Sequence, residues 1–209
     1  KLDATMVVAQ QLITPLSLAV LTIIAASLNS SYVAAFAILF RIEAALLLLP
    51  MILTTSMPAI IGTNYWSGHN TRVKKAYSLV FSSIIIVQLL IAFIAFYHSD
   101  FLGQILCPQT GVLPHLKNYM LWVPWGYAGA GCAIVYQSCL NAKGKTVQAT
   151  SIALCHRILL LLPLTIIGSM FSPSEGLFQG MLLGHLGAGI FVLMLFRYGN
   201  KKANDTPLW

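Results

Sequence analysis

AYSLVFSSIIIVQLLIAFIAFY, residues Ala76–Tyr97, runs for 22 residues without a charged side chain. At about 1.5 Å per residue a helix of that length reaches about 33 Å, the thickness of the hydrocarbon core of a bilayer. Its residues do not alternate apolar with polar, as a membrane-barrel strand does, and lipid offers backbone amides no hydrogen-bond partner, so the stretch reads as a transmembrane helix. Similar apolar runs lie near Thr5–Leu28, Tyr32–Ile61, Tyr119–Leu140, Val147–Phe171 and Gly176–Tyr198. The chain therefore reads as an all-α integral membrane protein, a six-transmembrane-helix bundle over residues 1–198 with a cytoplasmic tail at 199–209.

Composition agrees. The chain is 58% hydrophobic and 8% charged with mean hydropathy +0.82, whereas soluble domains carry about 25% charged residues. The net charge of +7 sits in small clusters between apolar runs, with no basic helix or stacking platform, so a bilayer rather than a nucleic acid is the expected partner. Arg72, Lys74 and Lys75, then Lys143 and Lys145, then Arg197, Lys201 and Lys202 occupy every second junction. The alternate junctions hold Asn29–Ser31, Asp100 with Lys117, and Glu175, so the positive-inside rule places both ends in the cytoplasm. Tyr97, Tyr119, Trp122 and Trp125 read as anchors at one interface, and Tyr65, Trp66 and Tyr198 at the other.

The sequence argues against an enzyme. Cys132, Cys139 and Cys155 lie within apolar runs and Cys107 in a connection, without zinc spacing or a disulfide framework. Lys143-Gly144-Lys145-Thr146 ends like a phosphate-binding loop, but Cys139 stands where that loop needs its first glycine. Five acidic residues leave little for paired-carboxylate chemistry, and no cofactor or metal is expected. The first apolar run exceeds a signal-peptide core and reads as a retained span, and Lys1 stands where an initiator methionine would, so a longer chain is expected upstream.

Ionisable groups within spans are costly in hydrocarbon, which singles out Arg41, Glu43, His156, Arg157 and His185. Counted along their helices, Glu43 lies about 17 Å from one face and Arg157 about 15 Å from the other, so both arrive near the midplane. Arg41 and Glu43 are about 200° apart around a helix and cannot pair on one face. Arg157 is the expected partner of Glu43, either fixing helix packing or serving a proton or cation relay. His156 and His185 suit either hydrogen-bonded packing or a proton-coupled cycle. Gln10 and Gln11, just before Pro15, suit a cavity wall or packing at a helix end.

Pro50 and Pro58 predict a kink in the second run, and Pro15, Pro124 and Pro163 offer bends in three others. Gly176, Gly180 and Gly184, continued by Ala188, give the last run a smooth face for close helix contact. Gly126, Gly129 and Gly131 suit either close packing or a cavity lining.

Val33-Ala34-Ala35-Phe36-Ala37-Ile38-Leu39-Phe40-Arg41-Ile42-Glu43 resembles the "AAFGIGLRIE"-like segment of MATE (multidrug and toxic compound extrusion) transporters. Leu49-Pro50, then Ile61-Gly62-Thr63-Asn64 with Gly68, resemble the family's "LP" and "GQNxGAG" elements, and Arg72–Ala76 continues the likeness. The resemblance implies the second six-helix lobe of a twelve-span transporter, with the N-terminal lobe outside this chain. It further implies a bacterial inner-membrane antiporter that exports small organic, often cationic, compounds in exchange for protons or sodium ions. Glu43, Arg41, Arg157 and Gln11 become the candidates for the substrate or ion pathway. One branch of the family places acidic cation ligands in the first and fourth helices of this lobe, and those spans contain no Asp or Glu here. A lipid-linked oligosaccharide or polysaccharide flippase and a noncatalytic membrane assembly subunit are the alternative readings.

Overall fold

A computed structural model describes residues 2–106, 111–173 and 175–205, and Cys107 lies outside them. The described chain is helical almost throughout: α1 (Leu2–Leu28), α2 (Ser30–Leu46), α3 (Leu48–Trp66), α4 (Asn70–Tyr97), α5 (Ser99–Leu106), α6 (Leu113–Trp122), α7 (Tyr127–Ala142), α8 (Thr146–Leu154), α9 (Leu162–Phe171) and α10 (Gly176–Asp205). A 3₁₀ turn at Val123–Gly126 joins α6 to α7, and a π-helical stretch at Cys155–Leu161 joins α8 to α9. Among the described residues, four spans are long and apolar enough to cross a membrane, and α2 with α3 makes a fifth if the bent pair is counted as one. The remaining run, residues 113–142, is helical throughout but divided by its 3₁₀ turn, and it begins at Leu113 rather than at Tyr119.

The long spans are largely apolar on both their inner and outer faces. On α4 the exposed face carries Leu79, Ile86, Leu90 and Phe93, while Val80, Ile84 and Ala92 face the bundle. A helix that is hydrophobic all round has lipid or protein, not water, on each face.

Successive helices run up and down. At one end the Tyr32 hydroxyl donates to the Pro173 carbonyl at 2.8 Å, and Ser31 Oγ meets His115 Nε2 at 3.2 Å, joining the α1–α2 and α9–α10 junctions to the start of α6. At the other end Trp66 Nε1 donates to the Ala142 carbonyl at 3.2 Å, holding the α3–α4 and α7–α8 turns together. Those turns depend on Gly68 (φ 76°) and Gly144 (φ 71°), whose left-handed backbone a side chain would strain.

The second run bends by 47°, and the break falls at Leu47 rather than at either proline. Pro50 explains it, because a proline cannot donate to the carbonyl four residues earlier. That carbonyl is Leu46, and the fully buried Gln88 of α4 donates to it at 3.0 Å. Pro58 lies inside α3 without a break; the carbonyl it would release belongs to Thr54, and Ser138 Oγ of α7 donates to that at 2.8 Å. Two proline defects are thus satisfied by side chains from neighbouring helices. Pro15 leaves α1 continuous, Pro124 sits in the 3₁₀ turn, and Pro163 follows the π stretch.

Gln88→Leu leaves the Leu46 carbonyl without that donor, and a loss of about 1–3 kcal/mol in stability is expected. Adding Pro50→Ala restores a backbone N–H to that carbonyl, so thermal denaturation of the double variant should show a smaller Gln88→Leu penalty. Equal penalties with and without Pro50 would remove the assigned role.

The glycines of the fourth run prove to be packing positions. A Cβ at Gly126 would lie 2.8 Å from His185 Cβ, one at Gly129 would meet the His185 backbone, and one at Gly131 would lie 2.7 Å from the Pro50 ring. Tyr119 corrects an expectation: it is 1% exposed and hydrogen-bonded to Tyr127, because α6 turns it into the bundle instead of toward an interface. Trp66 and Tyr97 are exposed at helix ends, and Tyr198 is exposed within the last two turns of α10.

Candidate functional site

α1 brings Gln10 and Gln11 onto one stretch of its surface, one turn before Pro15. Gln10 Nε2 donates to Thr150 Oγ1 at 2.9 Å and to Asn141 Oδ1 at 3.3 Å, while Asn141 Nδ2 donates back to Gln10 Oε1 at 3.0 Å. This reciprocal amide pair ties α1 to α7 and α8. Above it opens a cavity of about 610 Å³ bounded by α1, α2, α3, α7 and the π stretch. Gln11, Thr14, Gln137 and Ser138 supply polar wall, and Glu43, His156 and Arg157 supply its ionisable groups.

Glu43 is 9% exposed and Arg157 8% exposed, and Arg157 Nη1 lies 4.0 Å from Glu43 Oε1. That separation permits strong attraction at low dielectric but is longer than a hydrogen bond. Arg157 and His156 both reach the interior because they sit in the π stretch, where Leu162 N–H bonds the Arg157 carbonyl five residues back. The wider π turn changes the angular step between neighbours, and such turns recur at functional sites.

Behind the pair, His156 Nε2 and His185 Nδ1 are 3.0 Å apart, and both rings are buried. One nitrogen of that bond must accept, so the two imidazoles cannot both be cationic while it lasts. His185 packs against Tyr127 with ring centroids 5.5 Å apart, and Tyr127 bonds Tyr119. The outer nitrogen of His185, Nε2, is buried without a partner among the described residues. Glu43, Arg157, His156, His185, Tyr127 and Tyr119 form one continuous polar seam inside the bundle.

Of the sequence-derived candidates, the structure brings Glu43, Arg157 and Gln11 to this cavity. Arg41 is exposed on the opposite side of α2 and lines neither this cavity nor the one described below. Sequence reasoning placed Tyr119 at an interface and did not single out Tyr127, Gln88 or the Gln137/Asn141 face. Signals existed: Gln88 is the lone amide in its run, and Gln137 and Asn141 share a helix face at four-residue spacing. Among the described residues no group of three or more His, Cys, Asp or Glu is placed to hold a metal ion.

Ionisable groups buried beside a polar cavity among lipid-facing helices are features that membrane transport proteins share. The chain belongs to the MatE family, which it matches over residues 7–167. It is similar to the FAD transporter of Shewanella oneidensis, 32% identical over 179 residues that make up 86% of this chain and 40% of that protein. It is also similar to the Vibrio cholerae MATE transporter VcmN in its bent form, at 28% identity and TM-score 0.89 over 93% of this chain and 44% of that one. The outward-facing structure of a multidrug resistance MATE family transporter shares the fold at 13% identity, with TM-score 0.86. The chain spans less than half the length of these relatives. It is a multi-pass membrane protein of a transporter family, with the architecture of one MATE lobe.

Proposed function

We propose that this lobe forms one wall of an ion-coupled antiporter that exports a large polar organic compound, and that a flavin nucleotide is the first substrate to test. The observation that carries this reading is the cavity of about 610 Å³, whose amides and hydroxyls surround one compensated charge pair. Such a wall offers many hydrogen bonds and little net charge, which suits a polar, extended molecule better than a compact ion. The relative from Shewanella oneidensis, a FAD transporter, supports the same choice. In this reading a second lobe completes the cavity, protons or sodium ions drive the exchange, and the basic end faces the cytoplasm of a bacterial inner membrane.

Organic cations are the second reading. Glu43 is the one carboxylate among the residues lining the cavity, and at 4.0 Å Arg157 does not saturate it with hydrogen bonds.

Reconstituting the full-length protein in vesicles decides between them. A thiol reagent that does not cross the membrane, applied to Lys143→Cys in a cysteine-free background, fixes which end faces out. FAD and a cationic dye are then offered under an imposed proton or sodium gradient. Gradient-dependent FAD movement is expected, and dye movement without FAD movement would favour the organic-cation reading. Failure of both gradients to move either compound would overturn ion-coupled export of these substrates.

A further inference from the structure

The basic end of the bundle holds a second cavity, of about 780 Å³, between α3, α4, α7, α8 and α10. Lys74 reaches it from the start of α4, Lys143 from the end of α7 and Lys145 from the residue before α8. No carboxylate is among the residues that line it. Lys143 Nζ is held 4.5 Å over the Tyr77 ring and 5.3 Å over Tyr65, and Lys145 Nζ lies 5.8 Å over Tyr65. Aromatic faces hold the ammonium groups in position, but they leave the repulsion between the two cations in place, and an anion between them would relieve it.

A further feature points the same way. α4 and α8 both begin at this cavity, through Asn70 and Val147, and neither has a side-chain cap. Helix starts carry partial positive charge and spare N–H groups, which adds to the field of the lysines. Phe191, Leu195 and Ile152 continue the wall as apolar surface.

We propose that this cavity is a binding site for a phosphate-bearing anion, held by Lys143 and Lys145 with Lys74 alongside, separate from the cavity around Glu43. An anionic phospholipid headgroup and a soluble phosphate share this chemistry. The site takes the charged group between the lysines and leaves the Phe191 and Leu195 wall for whatever apolar part the ligand carries.

Burial, reinforced by neighbouring Lys145, pushes the Lys143 amine down to about 8. The titratable groups around it are Tyr65 on α3, Lys74 and Tyr77 on α4, Tyr136 and Cys139 on α7, Lys145 before α8 and Tyr198 on α10. An anion binds the charged amine, so affinity is full below that value and falls as pH rises through it.

The test uses the full-length protein in nanodiscs of phosphatidylcholine, with or without phosphatidylglycerol, and counts retained lipid by native mass spectrometry. A parallel arm adds millimolar inorganic phosphate to phosphatidylcholine nanodiscs and reads thermal stabilisation. Selective phosphatidylglycerol retention that falls about tenfold in Lys143→Gln/Lys145→Gln, as expected for two cations removed from an anion, assigns a lipid headgroup. Phosphate stabilisation lost in the same variant assigns a soluble phosphate. Either signal should also weaken between about pH 7 and about pH 9.5 in the wild type. If the double variant folds poorly, Lys145→Gln alone, at an exposed position, and the wild-type pH series still decide. Binding unaffected by both the substitutions and pH, or no binding in either arm, overturns the site.

Discussion

Gly180→Leu is expected to abolish recovery of folded protein. α10 lies against α9 along Gly176 and Gly180, where the two backbones meet without side chains between them, and Gly184 continues the row against Leu161 at the end of the π stretch. A Cβ at Gly180 would stand 2.7 Å from both the Leu164 carbonyl carbon and Thr165 Cα, and still closer to the Leu164 carbonyl oxygen. All three atoms belong to the α9 backbone, so no flexible side chain can swing away to make room. Overpacking within a core costs about 1–3 kcal/mol when side chains can adjust, and more when they cannot. In a membrane the effect is sharper, because close backbone packing replaces the hydrophobic drive that lipid does not supply between helices. Gly187 provides the control: a Cβ there would meet only the Leu160 side chain, at 3.4 Å, so Gly187→Ala should leave yield and melting temperature nearly unchanged. Size-exclusion profiles and thermal melts of both variants, with Gly180→Ala as an intermediate step, make the comparison. A monodisperse Gly180→Leu protein with wild-type melting temperature would refute the packing account.

The second large effect is expected at Arg157. Replacing it with methionine keeps volume but leaves Glu43 buried without its cation, and breaking a buried pair from one side costs about 3–5 kcal/mol. The loss will be smaller if the carboxyl takes up a proton instead. Glu43→Gln removes the opposite charge, and the double variant should be more stable than the sum of the two single losses predicts, because neither charge is left alone. Transport measured alongside separates two roles for the pair. If it only holds helices together, Glu43→Gln lowers stability and transport falls in proportion. If Glu43 couples ion movement to export, Glu43→Gln folds normally while gradient-driven export falls by about a hundredfold or more, the range associated with losing a proton-transfer group. Strictly additive stability losses, together with wild-type export by Glu43→Gln, would leave Glu43 with neither role.

The polar seam and the proline bends meet in the same part of the molecule. Pro50 lies three residues past the break at Leu47, Glu43 is one helical turn before it, and Leu47 and Met51 line the cavity. A change in the bend would therefore move the Glu43 carboxyl relative to Arg157, which sits on a different span. Ser138 stands at the junction, since it lines the cavity and also satisfies the Thr54 carbonyl opposite Pro58.

Hydropathy and helix period are properties of consecutive residues, and so the apolar runs, their helical state, the alternation of basic junctions and the small-residue face of the last helix were legible in the chain. So was the need of Glu43 for a partner, because a carboxylate counted to mid-membrane must be compensated wherever the bundle puts it. Which helix supplies the compensation is not a local property. The π stretch that turns His156 and Arg157 inward together, the pairing of His156 with His185 across 29 residues, and the burial of Tyr119 against Tyr127 depend on how the helices rotate about their axes. The break at Leu47 shows the same division: sequence placed a proline defect in the run, but Gln88, 42 residues away, supplies the donor for the carbonyl that the defect releases. The lysine-lined cavity is a tertiary product too, since three cations that read as separate loop charges converge only when the starts of α4 and α8 and the end of α7 come side by side. Sequence fixes which groups hydrocarbon will not tolerate alone; only the packing of one helix against another decides which groups answer them.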